Sequence, residues 1–192
     1  HEYAVRPERY RMLADLSISA TGPVGSVFLF SSLPPDELTD KPVLLTGQSQ
    51  TSVALVKIVL EEFIGVQPRY QVGEIFADGE CAKNVSAVLA IGDEALRLDA
   101  EGMHPYRLDL ADVWHKETGL PFVFAVFAVR EEFVREHPAT LRKVWQTLID
   151  CRDRGRERLP EISRLVAPRI PMDADDCCEY LRMIEHHLSP AH

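Results

Sequence analysis

Four short, mostly apolar stretches punctuate this chain, and their alternation with segments of helical period constrains the fold more than any other feature. They are Val24–Ser31 (VGSVFLFS), Pro42–Leu45 (PVLL), Ser86–Gly92 (SAVLAIG) and Leu120–Arg130 (LPFVFAVFAVR). Runs of this length and continuity have the pattern of strands covered on both faces. Between them the apolar spacing changes to the helical period. Val53, Val56, Leu60 and Phe63 predict a helix from Thr51 to Phe63, stopped by Gly65 and Pro68. Asp93–Leu98 predicts a short helix, and LADVWHKETG a second one ending at Gly119. Met12–Ser19 and Arg69–Ile75 read as further strands, and Asp78–Ala82 as a loop. From Glu131 onward the chain is mostly helical, with Leu141, Val144, Trp145 and Leu148 on one face. Alternating strands and helices predict an α/β architecture with a parallel or mixed sheet.

Charge and composition remove several function classes. A net charge of −9 argues against a general nucleic-acid or anionic-membrane surface. It leaves room for a small anion at a local site. No apolar stretch reaches the roughly 18 residues needed to span a bilayer. The four cysteines, Cys81, Cys151, Cys177 and Cys178, show no CxxC or Cys/His spacing, which fits reduced thiols in a cytosolic protein. A disulfide between the adjacent Cys177 and Cys178 is the alternative. The seven histidines show no HExxH-type spacing, and His186 and His187 point in different directions on a helix, so no metal site is predicted. GxSxG is absent, and no GxGxxG follows a strand.

The polar turns carry the remaining information. Thr46-Gly47-Gln48-Ser49-Gln50-Thr51-Ser52 joins a strand to a helix, as a phosphate-binding turn does, but without the Walker lysine. Ser49, Thr51 and Ser52 can cap the helix. Together with the free N–H groups and dipole at its start, they can equally hold an anion, a carboxylate as readily as a phosphate. Ile91-Gly92-Asp93 places a carboxylate at the end of a buried strand, where open α/β sheets collect ligands. Asp93 either caps the next helix or faces such a ligand. Ser17–Ser26 sets four hydroxyls and two glycines around a bend, suited to a plain turn, a hinge or a ligand contact. The residues alone thus describe an α/β protein with donor-rich turns at strand ends and a small anion as its ligand.

Four strings, in order, carry a resemblance: PERYRMLADLSISATGPVGSVFLFS, LLTGQSQTSVALVKIVL, AVLAIGDEAL and YRLDLADVWHKETGLPFVFAVFAVR. Together they resemble the chorismate dehydratase family of the futalosine route to menaquinone, over Glu2 to Arg130 and more loosely through the helical tail. The resemblance implies a type II periplasmic-binding-protein-like fold: two α/β lobes joined by two crossing strands. Val24–Phe30 and Phe122–Val129 are the expected crossings. Residues 1–30 plus 120–192 are then the first lobe, and 31–119 the inserted second lobe. The resemblance also implies that a strand–helix unit bearing a polar asparagine precedes Glu2-Tyr3-Ala4, and that one more helix follows Tyr180–His192.

The implied reaction removes water from chorismate to give 3-[(1-carboxyvinyl)oxy]benzoate in the cytoplasm, with no cofactor and no metal. The implied partner is a small dicarboxylate and neither a nucleic acid nor a membrane, on a monomer or a homodimer. Carried onto this chain, Ser49, Gln50, Thr51 and Ser52 bind one carboxylate. Ser19, Thr21 and Gly22 supply donors from the opposing lobe, and Gly119 lies at the cleft. Asp93 is the expected base or the partner of the ring hydroxyl, unless a substrate carboxylate is itself the base. Two alternatives remain: the later dihydroxynaphthoate-forming enzyme of the same pathway, and a non-enzymatic solute-binding protein.

Overall fold

A computed structural model describes residues 2–77, 80–81, 84–190 and 192, without the side chains of 77, 80 and 81. In chain order the main elements are α1 (Glu2–Val5), β1 (Tyr10–Ala20), β2 (Val27–Ser31), β3 (Pro42–Thr46), α2 (Gln50–Ile58), β4 (Arg69–Gly73), β5 (Phe76–Ala77) and β6 (Glu80–Cys81). They continue with β7 (Ala87–Ile91), α3 (Gly92–Glu101), β8 (Tyr106–Asp109), α4 (Leu110–Thr118), β9 (Phe122–Arg130), α5 (Glu131–Glu136), α6 (Pro138–Glu157), α7 (Leu159–Val166) and α8 (Ala174–Met183). The loop expected at Asp78–Ala82 falls partly outside the described residues. So does the chain start at His1.

A five-stranded mixed sheet with the order β4-β3-β7-β2-β8 is the centre of the molecule. β3 runs parallel to β4 and β7, whereas β2 is antiparallel to both β7 and β8. All five residues of β2 are buried, as are Ala87–Ala90 of β7, which explains their unbroken apolar sequences. Successive side chains go to opposite faces. Leu29, Val43, Leu45 and Leu89 meet Leu55, Val56 and Leu60 of the α2 segment and Leu110 of α4 on one face. Phe28, Phe30, Leu44 and Val88 meet Ala95 and Leu98 of α3 on the other. Fully burying each large apolar side chain contributes about 1.5–3 kcal/mol, so both helix layers are fixed by the strand pattern itself.

Local rules set the helix ends. The Ser49 side chain accepts the Ser52 N–H and starts α2. The helix widens to a π-helical stretch over Val59–Ile64 and ends at Gly65, as the periodicity predicts. Asp109 caps α4, and its carboxylate accepts the N–H groups of Ala111 and Asp112.

Val24–Phe30 and Phe122–Val129, the two expected crossings, do not pair with each other. β9 pairs with β1 in a separate two-stranded ribbon, with Tyr10 opposite Arg130 and Ala20 opposite Phe122. Val27–Ser31 belongs instead to the five-stranded sheet with residues 42–109, so it sits with the 31–119 unit rather than with residues 1–30. β1 carries an irregularity between Met12 and Ser17, where Asp15 adopts φ +57°. Two carbonyls freed there take side-chain donors from α6: Trp145 Nε1–H reaches Ala14 O at 2.8 Å, and Arg152 reaches Asp15 O at 2.6 Å. A third extended segment follows α8. Ser19 N–H donates to Glu185 O (2.9 Å), and Glu185 N–H donates back to Ser19 O (2.8 Å).

Cys151, Cys177 and Cys178 are free thiols, so the adjacent pair forms no disulfide; Cys81 has no described side chain. Among the described residues no helix is long and apolar enough to cross a membrane.

Candidate functional site

The carboxyl ends of β3, β7 and β8 and the amino end of β2 lie along one edge of the sheet, because β2 runs opposite to its neighbours. Every donor-rich turn named from the sequence opens onto this edge or onto the adjoining end of the β1–β9 ribbon.

The Ser49–Ser52 turn is both a cap and an open donor set. Thr46 Oγ1 accepts the Gln48 N–H (3.1 Å) and tightens the turn. Ser49 Oγ accepts the Ser52 N–H (3.1 Å) and donates to Ser52 Oγ (3.0 Å). Ser52 is buried, so these two hydroxyls are largely occupied with building the helix start. Among the described residues the N–H groups of Gln50 and Thr51 have no acceptor, as the first turn of a helix requires. They point out of a helix end that carries about half a positive charge. The half-buried Thr51 hydroxyl sits beside them.

Asp93 is exposed in the first turn of α3 and makes no capping bond; the residue before the helix, Ile91, has no side-chain cap either. Its carboxylate is therefore unspent. The next residue, Glu94, lies against the α2 turn, with Gln48 Nε2 donating to Glu94 Oε2 at 3.5 Å. Burial, and then the charge of Glu74, push the Glu94 carboxyl above the usual range. Adjacent strand ends thus bring a cationic helix start and a pair of carboxylates to one place.

The second predicted group sits at the ribbon end. Ser19 is fully buried, and its hydroxyl faces Ser17 Oγ (3.0 Å) and the carbonyls of Glu185 and His187 (3.5 and 3.4 Å). Thr21 is exposed and donates to the Glu185 carboxylate at 3.2 Å. Gly22 is buried, with φ +96°. Gly119 closes α4 in the left-handed region (φ +71°) just before β9, near Ala20 by strand register. The two groups share a core, in which Ala20 and Val24 pack with Leu55, Val56 and Phe122.

Three further residues define this edge. Asp109 Oδ2 accepts the N–H groups of Val24 (3.0 Å) and Gly25 (2.8 Å), while Oδ1 accepts those of Ala111 (3.0 Å) and Asp112 (3.2 Å). One carboxylate therefore ties the Pro23–Ser26 turn to the start of α4. Burial holds its carboxyl above the usual range, and the four N–H donors offset only part of that rise. Ser26 accepts the Gly92 N–H on its carbonyl (2.8 Å), and Tyr180 of α8 sets its ring against the neighbouring Gly25. Asp109 had a sequence signal, since an aspartate preceding LADVW is a helix cap. Tyr180 had none, because only the tertiary fold brings α8 to the sheet edge.

The family model described as menaquinone biosynthesis matches residues 1–192. This chain belongs to the menaquinone biosynthesis family. Among its relatives is the chorismate dehydratase of Thermus thermophilus, 35% identical over 201 residues that cover 97% of this chain and 70% of that protein. A chorismate dehydratase of Campylobacter jejuni is 40% identical over 60 residues, 28% of this chain and 26% of that protein. The fold of this chain is that of periplasmic binding proteins. The aliphatic sulphonate binding protein SsuA of Escherichia coli superposes with a TM-score of 0.62 at 14% identity, over 93% of this chain and 58% of SsuA. The desulfurization enzyme DszB gives 0.52 at 13% identity, over 95% of this chain and 68% of DszB. A Candida albicans protein with the generic periplasmic binding protein fold also gives 0.52. These distant likenesses speak to the fold alone.

Proposed function

We propose that this protein is a chorismate dehydratase, a hydro-lyase that converts chorismate to 3-[(1-carboxyvinyl)oxy]benzoate in the futalosine route to menaquinone. The observation that carries the reading is the 35% identity to the Thermus enzyme across 97% of the chain. The donor turn at the start of α2 supports it, because chorismate presents carboxylates. The reaction breaks one C–H and one C–O bond on neighbouring ring carbons, and the ring becomes aromatic. Aromatisation supplies much of the driving force, so positioning and proton handling are what the protein must provide.

In this reading the Gln50 and Thr51 N–H groups and the Thr51 hydroxyl grip one substrate carboxylate. Ser49 and Ser52 act chiefly by building that helix start. Thr21, Gly22 and Gly119 meet the substrate from the ribbon end, with Ser19 holding the ribbon behind them. Asp93 takes the ring proton, or bonds the ring hydroxyl while a substrate carboxylate takes the proton. The working cleft lies between the sheet edge and the ribbon end, and the two bodies divide between Ala20 and Val27 and again near Gly119. The enzyme works in the cytoplasm without a cofactor.

The test is incubation with chorismate and chromatographic detection of 3-[(1-carboxyvinyl)oxy]benzoate. Absence of product at high protein concentration sinks the assignment.

A further inference from the structure

Apolar side chains that converge from several elements ordinarily close into a core. Where β1, β9, α6, α7 and α8 meet, they do not. The five elements border a 510 Å³ cavity, a volume in the range of small-molecule sites. Phe127 of β9, Leu148 of α6, Ile162 of α7, Leu181 of α8 and Ile184 just beyond it form apolar walls. Phe127 is exposed and the other four are only half-buried, and none of the 20 residues of α6 is buried. Apolar walls facing a void lack partner atoms, and an apolar molecule restores them. Ser17, a polar group on the wall, already donates to the His187 carbonyl and faces Ser19 Oγ at 3.0 Å. The interior therefore suits an apolar body rather than a sugar or a phosphate.

The rim carries the opposite signal. Arg152, Arg156, Arg182 and His186 border the cavity. Asp15 and Asp153 pair with Arg152 at 3.1 and 2.8 Å. Among the described residues, Arg156 and Arg182 have no carboxylate partner. Arg156 Nη1 donates instead to His187 Nε2 at 2.8 Å, a neutral acceptor that leaves the guanidinium charge uncompensated. Burial, and then the charges of Arg156, His187 and Arg152, push the His186 imidazole down, which marks a local positive field in a chain of net charge −9. We propose that this cavity binds a hydrophobic organic acid, its apolar body among Leu148, Ile162, Leu181 and Ile184 and its carboxylate on Arg156 and Arg182. Guanidinium groups match a carboxylate in both charge and geometry. The exposed arginines keep the charged end at the mouth, so only the apolar part leaves water.

Titration calorimetry with 4-phenylbutyrate, and with the uncharged 4-phenyl-1-butanol of the same shape, tests the site. The acid should bind one-to-one, about tenfold or more tighter than the alcohol, and weaken as salt is raised. Arg156→Gln combined with Arg182→Gln changes two exposed side chains. It should weaken the acid about tenfold and leave the alcohol unchanged. Ile162→Trp fills the cavity and should abolish binding of both; the arginine variant still decides the matter if that protein does not fold. A wild-type protein that does not bind the acid, or binds it equally well without the two arginines or with the cavity filled, overturns the proposal. So does a dimer in sedimentation velocity that gives no heat with the acid, because a second copy then covers the walls. Chorismate enters none of these measurements, so the dehydratase reading stands or falls separately.

Discussion

Replacing Asp109 with asparagine should destabilise this protein at the Pro23–Ser26 turn. The carboxylate holds four backbone N–H groups at 2.8–3.2 Å, two in the turn and two in the first turn of α4. Asparagine caps helices as well as aspartate does, so its carbonyl oxygen stays with Ala111 and Asp112. Its amide then faces the N–H groups of Val24 and Gly25, donor against donor. Val24 is buried, so its N–H cannot turn to water, whereas Gly25 is half-buried and recovers part of its loss. At about 1–3 kcal/mol per orphaned buried donor, Asp109→Asn costs about 3 kcal/mol. At about 2–4 °C per kcal/mol for a chain of this size, Tm falls by about 6–12 °C. Asp109→Ala leaves all four N–H groups without their acceptor and should cost about 4–5 kcal/mol. Urea unfolding followed by circular dichroism, with calorimetry for Tm, measures both. An Asp109→Asn protein within about 1 kcal/mol of wild type, or an alanine variant no worse than the asparagine one, refutes the reasoning.

Three further outcomes are expected. Thr51→Val combined with Ser52→Ala should raise KM for chorismate about tenfold or more, the loss of one charge-assisted contact; an unchanged KM would dismiss the carboxylate grip. Gly25→Ala meets Met183 at 2.6 Å and a φ of +72°, so it should cost about 2–3 kcal/mol, relieved in part by Met183→Ala; equal stability of the single and double variants contradicts that account. Burial lowers the imidazole pKa of His104 and, with help from Arg156, His187 and Arg152, that of His186. Both are favoured neutral in the fold. Their contribution is therefore complete above the ordinary value of 6.5 and is lost as pH falls below it, so Tm should drop from pH 7.5 to 5.5, and drop less in a His104→Asn, His186→Asn protein.

Much of this architecture is legible in the residues themselves. The α2 helix begins and ends where Ser49 and Gly65 put it, because capping is a local hydrogen-bond matter. The β3 and β7 strands announce themselves by unbroken apolar runs, because a central strand is covered on both faces. The α/β class follows from that alternation. Strand partnership does not. Val27–Ser31 and Phe122–Arg130 look alike as sequences, yet the first is wholly buried between β7 and β8, and the second lies in a two-stranded ribbon with Phe127 exposed. Pairing joins residues far apart in the chain, and apolar patterning specifies that a strand will be covered without saying by what. For the same reason Ser49–Ser52 and Asp93 could be singled out at the ends of their strands. Only the tertiary structure decided that β1 pairs with β9, that Asp109 holds the turn at Val24 and Gly25, and that α8 sets Tyr180 and Met183 against Gly25.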